Sequence, residues 1–290
     1  MTVRPFRFGA NLMAVGSRRD LQTKARWIED LGFDTILIQD HLGMPAPFPM
    51  LVAAAEVTSR VRLGTFVLNA GFHRPALLAR DVATTDLLVD GRLEVGLGAG
   101  YAKAEYEAAG LEFPAPGKRI DHLATVVTEL RRLLAAGHRP SPAQRPAPPL
   151  LLAGHGDRLL RLAAAHADIV GVTAAAAGRA PAVGAAGEAA LAERIGFLRA
   201  AAGERFAELE LSMSVQVLLT GHGTPDLALL RRFNPGLSDD ELLTLPGVLH
   251  GSEAEIVDKL HHYREIHGVT YFAVPESRVA DLGKVIEHVR

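Results

Sequence analysis

Short, mostly apolar runs alternate along this chain with longer stretches whose apolar residues recur at helical spacing. The apolar runs predict strands at Phe6–Leu12, Thr35–Ile38, Val61–Leu68, Leu93–Leu97, Leu150–Ala153, Asp168–Val172, Leu209–Leu219 and Val269–Val274. Thr35-Ile-Leu-Ile38 is almost wholly apolar, as expected of a strand covered on both faces. Between the runs, Asp20 can cap a helix that puts Leu21, Ala25, Ile28 and Leu31 on one face and stops at Gly32. Further helices are predicted over Met50–Ser59, Ala76–Val89, Lys118–Ala136, Arg158–His166, Glu188–Ala202 and Val279–Val289. The clearest stripe is Ile120, Leu123, Val127, Leu130 and Leu134. Ser238…Glu241 and Ser252…Glu255 are capping boxes, each starting a helix. Tyr101–Gly117 reads as a loop, His138–Pro149 as a proline-rich surface link, and Ala174–Gly187 as a loop without periodicity.

Eight strands, each followed by at least one helix, predict a parallel α/β architecture closed into a (β/α)8 TIM barrel, with residues 1–290 as one domain. A doubly wound open sheet is the alternative. No strand runs promptly into a GxGxxG helix with an acidic partner, so a dinucleotide fold has no support.

Composition narrows the function more than the fold. The 290 residues suit a barrel of about 250 residues with modest extensions. A net charge of −2 gives no electrostatic case for nucleic acid or an anionic membrane as partner. With no cysteine, thiolate catalysis, disulfides and cysteine-ligated zinc are excluded. Met-Thr-Val-Arg-Pro-Phe-Arg lacks an apolar signal core, and no run of about 18 apolar residues occurs, so a cytoplasmic protein is expected.

In such barrels the chemistry sits at the carboxyl ends of the strands. Here those ends carry Asn11, Asp40-His41, Asn69-Ala70-Gly71, Gly98, Gly100 with Tyr101, Gly154-His155-Gly156, and Thr173. Histidine is the side chain whose ordinary pKa lies nearest neutrality, so His41 is the natural acid/base candidate; a loop histidine capping the next element is the plainer reading. Gly154-His155-Gly156 lies between a strand and a helix amino terminus, where free N–H groups suit a phosphate, although an ordinary βα turn looks the same. Thr173 can add a hydroxyl to that phosphate site. In Asp90–Tyr101, the glycines 96, 98 and 100 let backbone approach a ligand or simply make a tight strand exit. Asp239-Asp240 and His261-His262 read as solvated helix positions, with no third metal ligand in register. A barrel with few catalytic groups fits an enzyme whose cofactor carries the chemistry.

Several blocks occur in a telling order: Gly32-Phe-Asp34 with Asp40-His41; Arg62-Leu-Gly-Thr65 with Arg74-Pro-Ala76; Asp90-Gly-Arg-Leu93; Gly96-Leu-Gly-Ala-Gly100 with Glu105-Tyr106; Lys118-Arg119; and His166-Ala-Asp168. In these the chain resembles the bacterial luciferase-like monooxygenase superfamily, in particular its branch using the deazaflavin coenzyme F420. The resemblance implies a barrel, usually homodimeric, that holds F420 or FMN at the strand ends. It also implies a non-prolyl cis peptide at Phe66–Val67 behind the ring system. His41 matches the histidine that exchanges a proton with substrate or stabilises the reduced ring. Asp40, Phe66, Val67, Asn69, Gly98, Gly100 and Tyr101 fall around the cofactor, and Gly154, His155, Gly156 and Thr173 near its phosphate. Two departures stand out. Some relatives carry Trp or Glu where Tyr101 stands, and the phosphate loop often reads Gly-Gly where this one has Ala153-Gly154.

The expected function is therefore an F420-dependent oxidoreductase that moves a hydride between the deazaflavin ring and a small organic substrate, with no metal. The alternatives are an FMN-dependent two-component monooxygenase and a non-catalytic flavin-binding barrel.

Overall fold

Eight parallel barrel strands close on themselves in the computed structural model, which describes residues 4–135, 137–172, 187–221 and 223–290. Thr173, expected at the phosphate site, and nearly all of the expected 174–187 loop lie outside the described residues. The strands are β1 (Arg7–Leu12), β2 (Thr35–Ile38), β3 (Arg62–Thr65), β4 (Leu68–Asn69), β5 (Leu93–Gly98), β6 (Leu150–Ala153), β7 (Ile169–Gly171), β8 (Glu210–Ser214), β9 (Val217–Thr220), β10 (Val248–Gly251) and β11 (Val269–Pro275). Hydrogen bonds run in the order β3-β2-β1-β11-β8-β7-β6-β5-β4, and a β3–β5 pairing at Leu63↔Leu93 and Gly64↔Glu94 closes the ring. β3 and β4 are halves of one barrel strand, parted at the Phe66–Val67 peptide, which is cis as the resemblance implies. The (β/α)8 expectation holds.

Strand alternation sorts the side chains. Phe8, Ala10 and Leu12 of β1, with Val95 and Leu97 of β5, join the large core between sheet and helices. Leu37, Leu151, Ile169, Tyr271 and Ala273 form a smaller cluster with Phe66, Val67 and Ala153 inside the barrel. At the amino-terminal end of the strands, Arg7 reaches Glu94 at 2.5 Å and Glu210 at 2.6 Å, and Arg62 Nε meets Glu94 at 2.6 Å. Burial pushes the Glu210 carboxyl above its ordinary range, against the pull of Arg7. The barrel interior at that end is thus filled by charge and then by apolar side chains, and a surface cavity of about 750 Å³ lined by Arg7, Glu29, Asp34 and Arg62 opens beside it.

Three local expectations change. Ser17 caps the first helix, Arg18–Asp30, by accepting from Asp20 N at 3.2 Å; the Asp20 carboxylate instead accepts from Gly16 N at 3.0 Å. The stretch after Tyr101 holds a helix, Lys103–Ala108, built from good helix formers clear of the later prolines. The single strand expected over Leu209–Leu219 is two, because its partner changes midway. Val215 N donates to the Ala273 carbonyl at 2.7 Å, whereas Gln216 N donates to the Gly247 carbonyl at 2.8 Å. β9 then pairs with β10 in a separate two-stranded sheet. Gly247 makes the switch possible: its φ is +86°, and a β-carbon there would sit 2.5 Å from the Ser214 carbonyl oxygen. Among the described residues, no helix is long and apolar enough to cross a membrane.

Candidate active site

The ends of β2 and β4 are joined through Asp40. Its carboxylate accepts from Asn69 N at 3.0 Å and lies 3.4 Å from His73 Nε2. Asn69 then uses its own side-chain oxygen twice, accepting from Gly71 N and from the Tyr106 hydroxyl, each at 3.0 Å. Tyr106 is buried, and that burial pushes its phenol above the ordinary value despite the Asn69 bond. Arg119 fixes the neighbouring loop by donating to the Gly100 carbonyl at 2.9 Å and the Pro114 carbonyl at 2.6 Å, with its guanidinium 4.3 Å from the Phe113 ring centre. Asp40 and Asn69, both expected near a cofactor, are thus tied into the frame of the barrel mouth through these side-chain oxygens.

His41 stands beside this frame. Its Nδ1 lies 2.7 Å from Glu105 Oε1, with the two side chains 28% and 18% exposed. Glu105 comes from the short helix 103–108, so it reaches His41 only because that segment is helical. The Tyr101 ring meets the imidazole edge-on at 6.0 Å between centres, and its side chain is otherwise exposed. Burial of the phenol end, and then the Glu105 charge, push Tyr101 above its ordinary value. An imidazole held at Nδ1 by a carboxylate presents Nε2 in a fixed direction, the usual arrangement of a general acid/base.

The glycines of β5 and Gly100 just after it stand where a side chain would strike the neighbouring strand and loop. A β-carbon at Gly96 would lie 2.1 Å from the Thr65 carbonyl oxygen. One at Gly98 would lie 2.8 Å from a Val67 methyl. At Gly100, where φ is +70°, it would strike Asn69 Oδ1 at 2.2 Å. The room a side chain would need at these residues is taken by the protein's own Thr65, Val67, Asn69 and Tyr106.

Gly154-His155-Gly156 leads from β6 into the helix Asp157–His166, as expected. Gly156 is the N-cap residue, and among the described residues no side-chain cap satisfies the first N–H groups of that helix. Arg158 ties the helix back to the preceding one through Asp121 and the Gly117 carbonyl. On the inner face, at the end of β1, Asn11 Oδ1 is buried without a partner among the described residues. An orphaned acceptor, an uncapped helix start and an oriented histidine therefore share the carboxyl end of one barrel. They fit a ligand with a hydrogen-bonding ring and a phosphate.

Glu105 and Arg119 were visible in the sequence only as members of family blocks. The signal that points to Glu105 is the proline-free run Ala102–Ala109 after Gly100, which carries it as a helix.

The sequence profile of the luciferase-like monooxygenase family matches residues 1–270. The chain belongs to that family. A curated relative from Kribbella flavida, an F420-dependent glucose-6-phosphate dehydrogenase, is 37% identical over 124 residues, covering 40% of this chain and 37% of that protein. The match thus spans little more than a third of that relative's length. Among solved structures, an F420-dependent secondary alcohol dehydrogenase in complex with an F420–acetone adduct superposes with a TM-score of 0.76 at 18% identity, covering 99% of this chain and 100% of the other. Riboflavin lyase with modified FMN and riboflavin superposes with a TM-score of 0.74 at 15% identity, covering 99% and 90%. At those identities the likeness is one of fold.

Proposed function

We propose that this chain is an oxidoreductase that binds F420 at the carboxyl mouth of the barrel and acts on a small organic substrate. When bound, the deazaflavin supplies or accepts the hydride. The protein's own part is to hold and orient. The uncapped amino terminus behind Gly154-His155-Gly156 takes the phosphate, and the orphaned Asn11 oxygen offers an acceptor to a ring N–H. Asp40 and Asn69 keep the β2 and β4 ends in register. His41 exchanges the substrate proton through Nε2 while Glu105 fixes its Nδ1. The observation that carries this reading is the His41–Glu105 pair, 2.7 Å apart at the strand ends of a luciferase-like barrel. The local likeness to an F420-dependent dehydrogenase supports the choice of cofactor.

Titration of the purified protein with F420 tests the reading: saturable fluorescence quenching at micromolar or tighter affinity is expected, and no quenching overturns it. His41→Ala is expected to keep F420 binding within about threefold while turnover on a panel of alcohols and sugar phosphates falls by about 100-fold or more. The family description and the FMN-containing neighbour favour a second reading, an FMN-dependent monooxygenase served by a separate reductase. That reading predicts FMN uptake with oxygen consumption and silence towards F420. Sedimentation of the same preparation checks the homodimer that belongs with this proposal.

A further inference from the structure

Away from the barrel mouth, three side chains from two helices converge on one point. Glu188 opens the helix Glu188–Ala202, and His262 and His267 lie near the end of the helix Glu253–His267. Glu188 Oε1 lies 2.5 Å from His262 Nε2 and 2.7 Å from His267 Nε2. The donor atoms of all three residues fall within 4.8 Å of one another. The imidazole planes stand 82° apart, so the two rings approach from different directions rather than stacking. His267 is 4% exposed and anchored, whereas Glu188 and His262, at 44% and 46%, open the cluster to solvent. A solvated pair of adjacent histidines was all that His261-His262 promised in the sequence. The missing ligand comes from a residue 74 positions upstream, and His261 instead turns its ring edge to Phe6.

We propose that Glu188, His262 and His267 bind a divalent transition-metal ion of the zinc, nickel or copper kind. Two imidazole nitrogens and one carboxylate are the donor set such ions prefer, and one that calcium or magnesium avoids. Zinc–ligand bonds of about 2.0–2.2 Å place tetrahedral donors roughly 3.3 Å apart, so each nitrogen moves less than about 1 Å to admit the ion. Three protein ligands leave a fourth position for water on the exposed side. Lys259 is close enough to feel the Glu188 charge, but its Nζ donates to the Val248 carbonyl at 2.9 Å. A nearby cation selects against ions held by charge alone and for those that bond strongly to imidazole. The ion would staple the start of one barrel helix to the end of another, joining segments far apart in the chain.

Full-length untagged protein, stripped with a chelator, is titrated with Zn2+ by calorimetry and with Co2+ by visible absorption. One equivalent bound at micromolar or tighter affinity, four-coordinate cobalt bands and a melting temperature raised by about 5 °C are expected. Glu188→Ala and His262→Ala, both at exposed positions, are expected to weaken uptake at least about tenfold. His267→Ala does the same, provided its circular dichroism matches the parent. His288→Ala, whose carboxylate contact among the described residues is Glu253 at 3.8 Å, leaves uptake unchanged. Absence of saturable uptake, or uptake that survives both Glu188→Ala and His262→Ala, overturns the proposal.

Discussion

Thr65 is the most informative place to perturb the barrel beneath the candidate site. It is buried at the end of β3, one residue before the cis peptide, where the regular ladder to β5 stops. Its hydroxyl continues that ladder: Oγ1 donates to the Gly96 carbonyl at 2.9 Å and accepts from Gly96 N at 2.8 Å. Thr65→Val keeps the shape and removes both bonds, leaving a buried N–H and a buried carbonyl without this partner. Each such group costs about 1–3 kcal/mol, so the change is expected to destabilise by about 3 kcal/mol. At about 2–4 °C per kcal/mol for a chain of this size, the melting temperature falls by about 6–12 °C. Thr65→Ser keeps the hydroxyl and loses one methyl, a cost of about 1 kcal/mol. Urea midpoints and thermal melts by circular dichroism separate the two variants. A Val variant as stable as the Ser variant would refute the assignment of the hydroxyl as a ladder substitute.

Other expectations follow from the same geometry. Gly156→Asp has an extended backbone and open space around it, so the new cap should stabilise the helix 157–166 by a few tenths of a kcal/mol; because the added charge faces the phosphate site, F420 affinity should fall at least about tenfold in a fluorescence titration. Arg7→Met removes the shared partner of Glu94 and Glu210 and should cost about 3–5 kcal/mol in urea unfolding. Burial opposes the Glu29 charge, but N–H groups of Val61, Arg60 and Ser59 outweigh it and hold the carboxyl below its ordinary 4.5. Its contribution is therefore present above about pH 4.5 and lost as pH falls through the lowered folded value; Glu29→Gln should cost about 1–2 kcal/mol at neutral pH and flatten stability in that acid window, read from urea midpoints across pH.

The strand positions were legible in the sequence because each barrel strand is a short apolar run, and strict alternation with helices leaves few topologies. Family resemblance added the Phe66–Val67 bond, which no local propensity announces. What the sequence withheld depends on partners distant along the chain. Nothing between Leu209 and Leu219 marks where the strand leaves the barrel, since the switch is set by Ala273 and Gly247. His41 was readable as a strand-end histidine, but its bond to Glu105 spans 64 positions and needs a helix hidden in an apparent loop. The β5 glycines were visible as a motif; that their space belongs to Val67 and Asn69 required the opposite strand to be in place.

The departure of the chain at Gln216 has a consequence for how this barrel can change. β8 pairs directly with β11, so the barrel seam is complete without anything between them. Residues 216–221 and 223–251 lie outside it, with Leu218 and Leu249 turned to the main core and Val217 and Val248 to a small core of their own with Leu227, Leu230, Leu242 and Leu245. A unit with its own few apolar contacts opens on its own, and amide exchange there should be faster than in the barrel strands. Apart from Leu218 and Leu249, which help to fill the main core, it is also the part of the chain whose length can change while the barrel strands keep their pairing.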